Sequence, residues 1–268
     1  MKKTVVVIIP IYKEDIDINE KKSFNQCFKV LSNYPIIFIG PDNINTEFYS
    51  DYCKDNNIKF QFKAFNSEFF LNVDQYSKLM LSIDFYKQFK NFEYMLVYQL
   101  DAYVFRDELL QWCQQGYDYI GAPWFKGYAN TDKKAKLLYR AGNGGFSLRI
   151  INSFIKILND KNKRFRNFSY FCIIYNEYNL IKAIIEYLGE KNSLLYFISE
   201  FVGNEDAFWG IKAPFYYKQF KTAPVEIAMQ FSFECNPRIL YNKNKNKLPF
   251  GCHAWNKYDF DFWKEFID

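Results

Sequence analysis

A chain of 268 residues is long enough for one large domain or two small ones. Hydrophobic residues make up 49% of it and aromatics 21%, against a net charge of only +5, so the composition excludes intrinsic disorder, which needs few aromatics and a high net charge. The small basic excess suits a solvated surface, or attraction to anionic substrates or a membrane face; with no arginine-rich helix or nucleic-acid module in the sequence, nucleic acid is the weaker candidate and no nucleic-acid partner is expected.

Strand and helix signals alternate along the first half. Residues 5–11 are a continuous β-branched run, as expected of a strand covered on both faces. Two lysines precede it, but Pro10 ends it and Lys13-Glu14-Asp15 stands where a signal peptide would carry small cleavage residues, so it reads as a first strand. Residues 36–39, closed by Gly40-Pro41, and residues 58–62 predict a second and a third. Between 73 and 89, Val73, Tyr76, Met80 and Ile83 step by three and four, which predicts one helix with a buried face. Residues 94–100 predict a central strand with Asp101 at its C-terminal end, followed by a short helix over 107–115 and a buried strand at 119–121. Strands separated by helices imply an α/β fold with a mostly parallel central sheet flanked by helices. Ligands of such sheets sit outside the carboxyl ends of the strands.

The second half is less regular. Residues 125–140 are polar and predict a loop beside the site, and 142–149 predict a glycine turn entering a short strand. Ile174, Tyr178, Ile181, Ile185 and Leu188 repeat at helical spacing, a stripe that reads as core rather than membrane anchor. The Lys/Asn-rich stretches 160–167 and 242–247 predict exposed loops. No run approaches the ~20 uninterrupted apolar residues of a membrane span. The six cysteines are scattered without a CxxC pair, which reads as reduced thiols in the cytoplasm. A single domain with two functional halves fits best.

Four segments are suited to chemistry. Asp101 follows a buried apolar run, where an uncompensated carboxylate is costly; a divalent cation bridging to a diphosphate would compensate it, and capping the next turn is the plain structural alternative. Three glycines among residues 142–145 let a ligand approach the main chain, although a structural hairpin would use similar residues. The patterns GxGxxG and GxxxxGK[ST] are both absent, which argues against a dinucleotide or P-loop enzyme. Glu205 and Asp206 follow Asn204 as the first turn of a helix capped by it, or one of them is a general base for an acceptor hydroxyl. His253, the sole histidine, is a packed residue in a tight turn or an imidazole completing a metal site begun by Asp101.

Taken together and in order, VVVIIPIYKE (5–14), SIDFYKQF (82–89), YQLDAYVF (98–105), YDYIGAPW (117–124), GNGGFSLR (142–149), NEDAFWG (204–210) and PFGCHAW (249–255) resemble a family of uncharacterised bacterial glycosyltransferase-like domains with a GT-A fold. The resemblance implies a Rossmann-like single domain whose residues 1–124 bind a nucleotide sugar and whose residues 125–268 bind the acceptor and carry catalysis. By the same resemblance Pro10 and Tyr12 contact the nucleotide, and Asp101 occupies the first position of the DxD signature, with Tyr103 in the third. His253 would join Asp101 on Mn²⁺ or Mg²⁺. Gly144 and Gly145 would line the donor-sugar and acceptor pocket, Trp124, Phe208 and Trp209 would offer flat surfaces to sugar rings, and Asp206, with Glu205 as its neighbour, would be the base of an inverting single displacement. The implied activity moves a sugar from a nucleotide-sugar donor to a hydroxyl of a glycan or lipid-linked acceptor in surface polysaccharide synthesis, in the cytoplasm or peripherally at the inner membrane face. The rival readings are a retaining glycosyltransferase, a non-catalytic carbohydrate-binding protein, against which the chain length speaks, and a sugar-nucleotide nucleotidyltransferase. The last would carry a basic glycine-rich loop where Tyr12-Lys13-Glu14-Asp15 stands.

Overall fold

The structure, a computed structural model, describes residues 3–164, 168–175 and 178–267. Strand β1 (Lys3–Pro10) leads through helix α1 (Ile18–Leu31) to β2 (Ile36–Pro41), and α2 (Glu47–Asp55) returns the chain to β3 (Phe62–Phe65). Helices α3 (Val73–Met80) and α4 (Ile83–Lys87) carry it back across the sheet to β4 (Phe92–Tyr98). Then come β5 (Tyr103–Val104), α5 (Leu109–Gln114), β6 (Tyr119–Ile120), the paired strands β7 (Pro123–Phe125) and β8 (Leu137–Ala141), β9 (Phe146–Ile150), α6 (Ile151–Leu158), α7 (Phe168–Tyr175) and α8 (Leu180–Leu188).

The central sheet has six strands in the order β3-β2-β1-β4-β9-β6. The first four run parallel, while β9 lies antiparallel between β4 and β6, so the sheet is mostly parallel with a reversed strand near one edge. The period of two along each strand divides the core. Val6, Ile8, Met95 and Val97 face one side, where they pack with Met80, Phe85 and Phe154 of α3, α4 and α6. Val5, Val7, Leu96 and Tyr98 face the other, against Phe24, Cys27, Tyr49 and Leu109 of α1, α2 and α5. A strand buried on both faces reads as a continuous apolar run, which is what residues 5–9 show. From β1 the chain steps outward to β2 and β3 and then returns to β4 on the other side of β1. That reversal opens a crevice at the carboxyl ends of β1 and β4, where Pro10 and Asp101 emerge.

Several local expectations differ from what is found. The single helix expected over 73–89 is two, because Ser82 starts a new one by accepting a hydrogen bond from the Phe85 amide at 3.2 Å. The third strand lies at Phe62–Phe65 rather than 58–62. The expected loop 125–140 contains most of β8, which pairs antiparallel with β7. The stripe assigned to the core is mostly outside it: Tyr178, Ile181, Ile185 and Leu188 are all exposed, while the side chain of Ile174 lies outside the described residues. The expected single stripe is also divided, with Ile174 in α7 and Ile181, Ile185 and Leu188 in α8, and period alone does not say which way a stripe faces.

Candidate active site

Two strand ends and two turns build the site. β4 finishes at Tyr98, and Gln99, Leu100 and Asp101 follow as a turn over the crevice. The short strand Gly251–Cys252 pairs antiparallel with β5 and parallel with Ser232–Phe233. It therefore delivers His253 and Glu234 side by side, next to the end of β4. The His253 Nε2 lies 3.2 Å from Asp101 Oδ1 and 3.0 Å from Gln99 Oε1, and its Nδ1 lies 3.0 Å from Glu234 Oε1. Burial works against charge on this imidazole, but the carboxylates of Asp101 and Glu234 outweigh it and raise its pKa to about 10. For Asp101 burial pushes upward and the neighbouring imidazolium more than offsets it, leaving the carboxyl below its usual range.

The glycine turn is explained by what stands against it. A Cβ on Gly145 would sit 2.0 Å from His253 Nε2, and one on Gly144 would sit 2.5 Å from Glu205 Oε1; only glycine lets the main chain pass so close to both. Asn143 ties the turn together, donating to Glu234 Oε1 at 2.8 Å and accepting from the Gly145 amide at 3.2 Å. Beyond the turn, β9 runs to Arg149, which is fully buried and pairs with Glu205 through Nη2–Oε1 at 2.8 Å and Nη1–Oε2 at 3.2 Å. Arg149 also donates to the Tyr86 hydroxyl at 2.9 Å and to Ser147 Oγ at 3.1 Å. Asp206, in the short helix Glu205–Ala207, accepts from the Gly144 amide at 3.2 Å and faces the crevice. Burial first, then the charges of Glu205 and Glu234, push its carboxyl up to about 7.

Gln99, Asp101, Asn143, Glu205, Asp206, Glu234 and His253 line one cavity of about 1040 Å³, which Pro10, Tyr12, Gly144, Gly145, Trp124 and Lys257 also border. All eight expected site residues reach it: Pro10, Tyr12, Asp101, Gly144, Gly145, Glu205, Asp206 and His253. Tyr12 is 59% exposed at its edge. Tyr103, which stands where the DxD signature has its second acid, is buried against Phe105 and Trp255 and does not border the cavity; the oxygen beside His253 comes from Gln99, on the other side of Asp101 in sequence. One expectation needs correction. Phe208 and Trp209 are wholly buried in the core and offer no surface to a sugar, whereas Trp124 does border the cavity. Gln99, Glu234, Arg149 and Lys257 were not foreseen. Gln99 stands two residues before Asp101, the same-face spacing of a strand end. Glu234 is an acid set between the apolar residues Phe233 and Cys235, a signal akin to the one that singled out Asp101.

Once the proton that Asp101 and Glu234 hold on His253 is displaced, Gln99, Asp101 and His253 would fit a hard divalent cation. An octahedral Mg²⁺ or Mn²⁺ with bonds of about 2.1 Å holds neighbouring ligands about 3 Å apart, close to the separations of His253 from Gln99 and Asp101. Glu234 on Nδ1 is the kind of outer carboxylate that orients a ligating imidazole. Among the described residues no three His, Cys, Asp or Glu side chains converge on one point, so the amide oxygen of Gln99 is needed to complete the set.

The architecture is that of GT-A glycosyltransferases. The chain is similar to the glycosyltransferase GlyE of Streptococcus pneumoniae with a TM-score of 0.51 at 11% identity, covering 99% of this chain and spanning 61% of that one. It is similar to the galactosyltransferase LgtC, solved with donor and acceptor sugar analogues, with a TM-score of 0.51 at 10% identity over 92% of this chain and 86% of that one. The comparison with curated proteins finds no match. Residues 59–253, well over half of the sequence, match the family described as protein of unknown function (DUF5672), and the chain belongs to that family.

Proposed function

We propose that the protein is a nucleotide-sugar-dependent glycosyltransferase that inverts the anomeric centre, with Asp206 as general base. The observation that carries this reading is a buried carboxyl with a pKa near 7, placed in the same crevice as Asp101 and His253 at a strand-order reversal. A general base works best with a pKa near the operating pH. Glu205 is not available for that role, since both of its oxygens are committed to Arg149.

In this reading the nucleotide rests between Pro10 and the exposed ring of Tyr12, and its diphosphate lies over Asp101. Where a divalent cation binds, Asp101, Gln99 and His253 would hold it, and its charge would offset that of the departing diphosphate. Lys257 borders the same cavity and acts on Asp101 electrostatically, so it contributes a positive charge of the chain's own to the phosphates. The acceptor enters on the Asp206 side. Asp206 takes the proton of its hydroxyl as that oxygen bonds to the anomeric carbon, the bond from that carbon to the diphosphate oxygen breaks, and the proton passes later to solvent. LgtC, with its donor and acceptor analogues, supports a two-substrate cleft in this fold. A glycan or lipid-linked acceptor in surface polysaccharide synthesis fits this chemistry.

The test is a thermal-shift series with UDP, GDP, CDP and TDP, with and without Mn²⁺. A ligand that binds only the folded state stabilises it by about 2.7 kcal/mol at a hundred times its dissociation constant. Asp101→Ala should lose the shift, and Asp206→Ala should keep it while losing sugar transfer. Failure of all four diphosphates to stabilise the wild-type protein would overturn the donor-site reading, and full turnover by Asp206→Ala would overturn the base.

A further inference from the structure

Helix α8 is amphipathic with its apolar side turned outward. At 100° per residue, Leu180, Ile184, Leu188, Ile181 and Ile185 fall within an arc of about 140°, and they are 65%, 44%, 76%, 73% and 66% exposed, respectively. Tyr187, which packs on the core, and buried Ala183 lie next to one edge of the arc, and Lys182 and Glu186 occupy the side opposite it. Scattered exposed aliphatic residues need no explanation, but five on one helix face form a contiguous patch of the kind that marks an interaction site.

Cations gather around the C-terminal end of this ridge. Arg164 is exposed and donates through Nη1 to the Gly189 carbonyl at 2.7 Å, immediately past the helix. The carbonyl of Lys163 accepts from the Leu194 amide at 2.8 Å, which places the 161–164 segment beside the same end, with Lys161 exposed. Lys191 follows α8 directly. Glu186 is held by Lys191 at 2.7 Å, so Lys161, Lys163 and Arg164 stand against Glu190 and Asp160, the latter accepting from the Tyr217 hydroxyl at 2.6 Å, which leaves a small basic excess.

We propose that α8 with its cationic rim is a docking surface for an anionic lipid bilayer, lying in the plane of the interface with Leu180, Ile181, Ile184, Ile185 and Leu188 among the acyl chains. Apolar side chains on a short helix combined with a basic border are what interfacial binding uses. No described helix is long and apolar enough to cross a membrane, so the contact is one face deep. A second copy of the chain is a poorer occupant, because stable protein interfaces engage roughly 20–30 residues a side and this helix has nine. The surface is separate from the crevice: none of its residues borders the cavity.

The experiment is co-flotation of the full chain with vesicles of phosphatidylcholine alone and of phosphatidylcholine mixed with phosphatidylglycerol. Wild type should float with the mixed vesicles and release as salt rises. Ile181→Glu/Ile185→Glu should lower the partition by more than about tenfold, given the apolar burial it removes, and Lys161→Glu should lower it less. Both sites are solvent-facing, so the variants should fold; Ile185→Trp provides an independent readout through a blue shift of its emission on the mixed vesicles. Nucleoside-diphosphate binding should be unchanged in every variant, which separates this surface from the active-site reading. Absence of flotation by wild type, undiminished flotation by the double variant, or a wild-type dimer in solution that the double variant dissolves would each overturn the proposal.

Discussion

Replacing Asp206 by asparagine removes a charge that the folded protein tolerates poorly. The carboxyl is pushed up to about 7 in the folded state, against about 3.9 in an unfolded chain. Between those two values the folded state keeps a proton that the unfolded state has lost, so stability falls as pH rises from about 4 to about 7 and is level above. At about 1.4 kcal/mol per unit the full interval is worth about 4 kcal/mol, and solvent in the open crevice leaves roughly 2–4 of that. Asparagine keeps the acceptor for the Gly144 amide and never ionises. Urea denaturation of the two proteins at a series of pH values should give no difference near pH 4 and a growing advantage for Asp206→Asn, reaching about 2–4 kcal/mol at pH 8. Titrating groups that do not interact with Asp206 cancel in the comparison. A difference that stays constant with pH, or a variant less stable than wild type at pH 8, would refute the placement of a strained carboxylate in the crevice. The same variant should transfer no sugar, so stability and turnover should move in opposite directions.

Arg149→Met leaves Glu205 buried without its partner and should destabilise the fold by about 3–5 kcal/mol, whereas Arg149→Met/Glu205→Leu should recover most of that loss. Equilibrium unfolding decides it, and a single variant within about 1 kcal/mol of wild type would show the pair to be dispensable. Gly145→Ala drives a methyl group against the His253 ring and should cost about 1–3 kcal/mol of overpacking while abolishing nucleoside-diphosphate binding. An unchanged dissociation constant by calorimetry would mean that the ring position does not matter.

The parallel half of the sheet was legible because burial on both faces leaves a direct mark, the unbroken apolar runs around Val7 and Ile37. Asp101 was legible as a carboxylate after a buried apolar run, whereas Asp206 and His253 stood out only as an acid at a helix start and the sole histidine, with roles implied by the resemblance. What was not legible depended on partners distant in sequence. Arg149 looked like the end of a glycine motif, and only the fold brings it to Glu205, 56 positions away. Phe208 and Trp209 could equally have been core or platform, since an aromatic residue carries no label for the side it faces. The α8 stripe misled for a related reason: its spacing reports a helix with one apolar side, and the side turned outward.

The pairing of His253 with Gln99 spans 154 positions. During synthesis strands β1 to β4 leave the ribosome long before the acids at Asp101, Glu234 and Asp206 meet their imidazole. A nascent chain can therefore settle much of its sheet while the crevice still lacks one wall, until the strand carrying Gly251 and Cys252 docks beside β5. That ordering leaves the crevice incomplete until translation has passed His253.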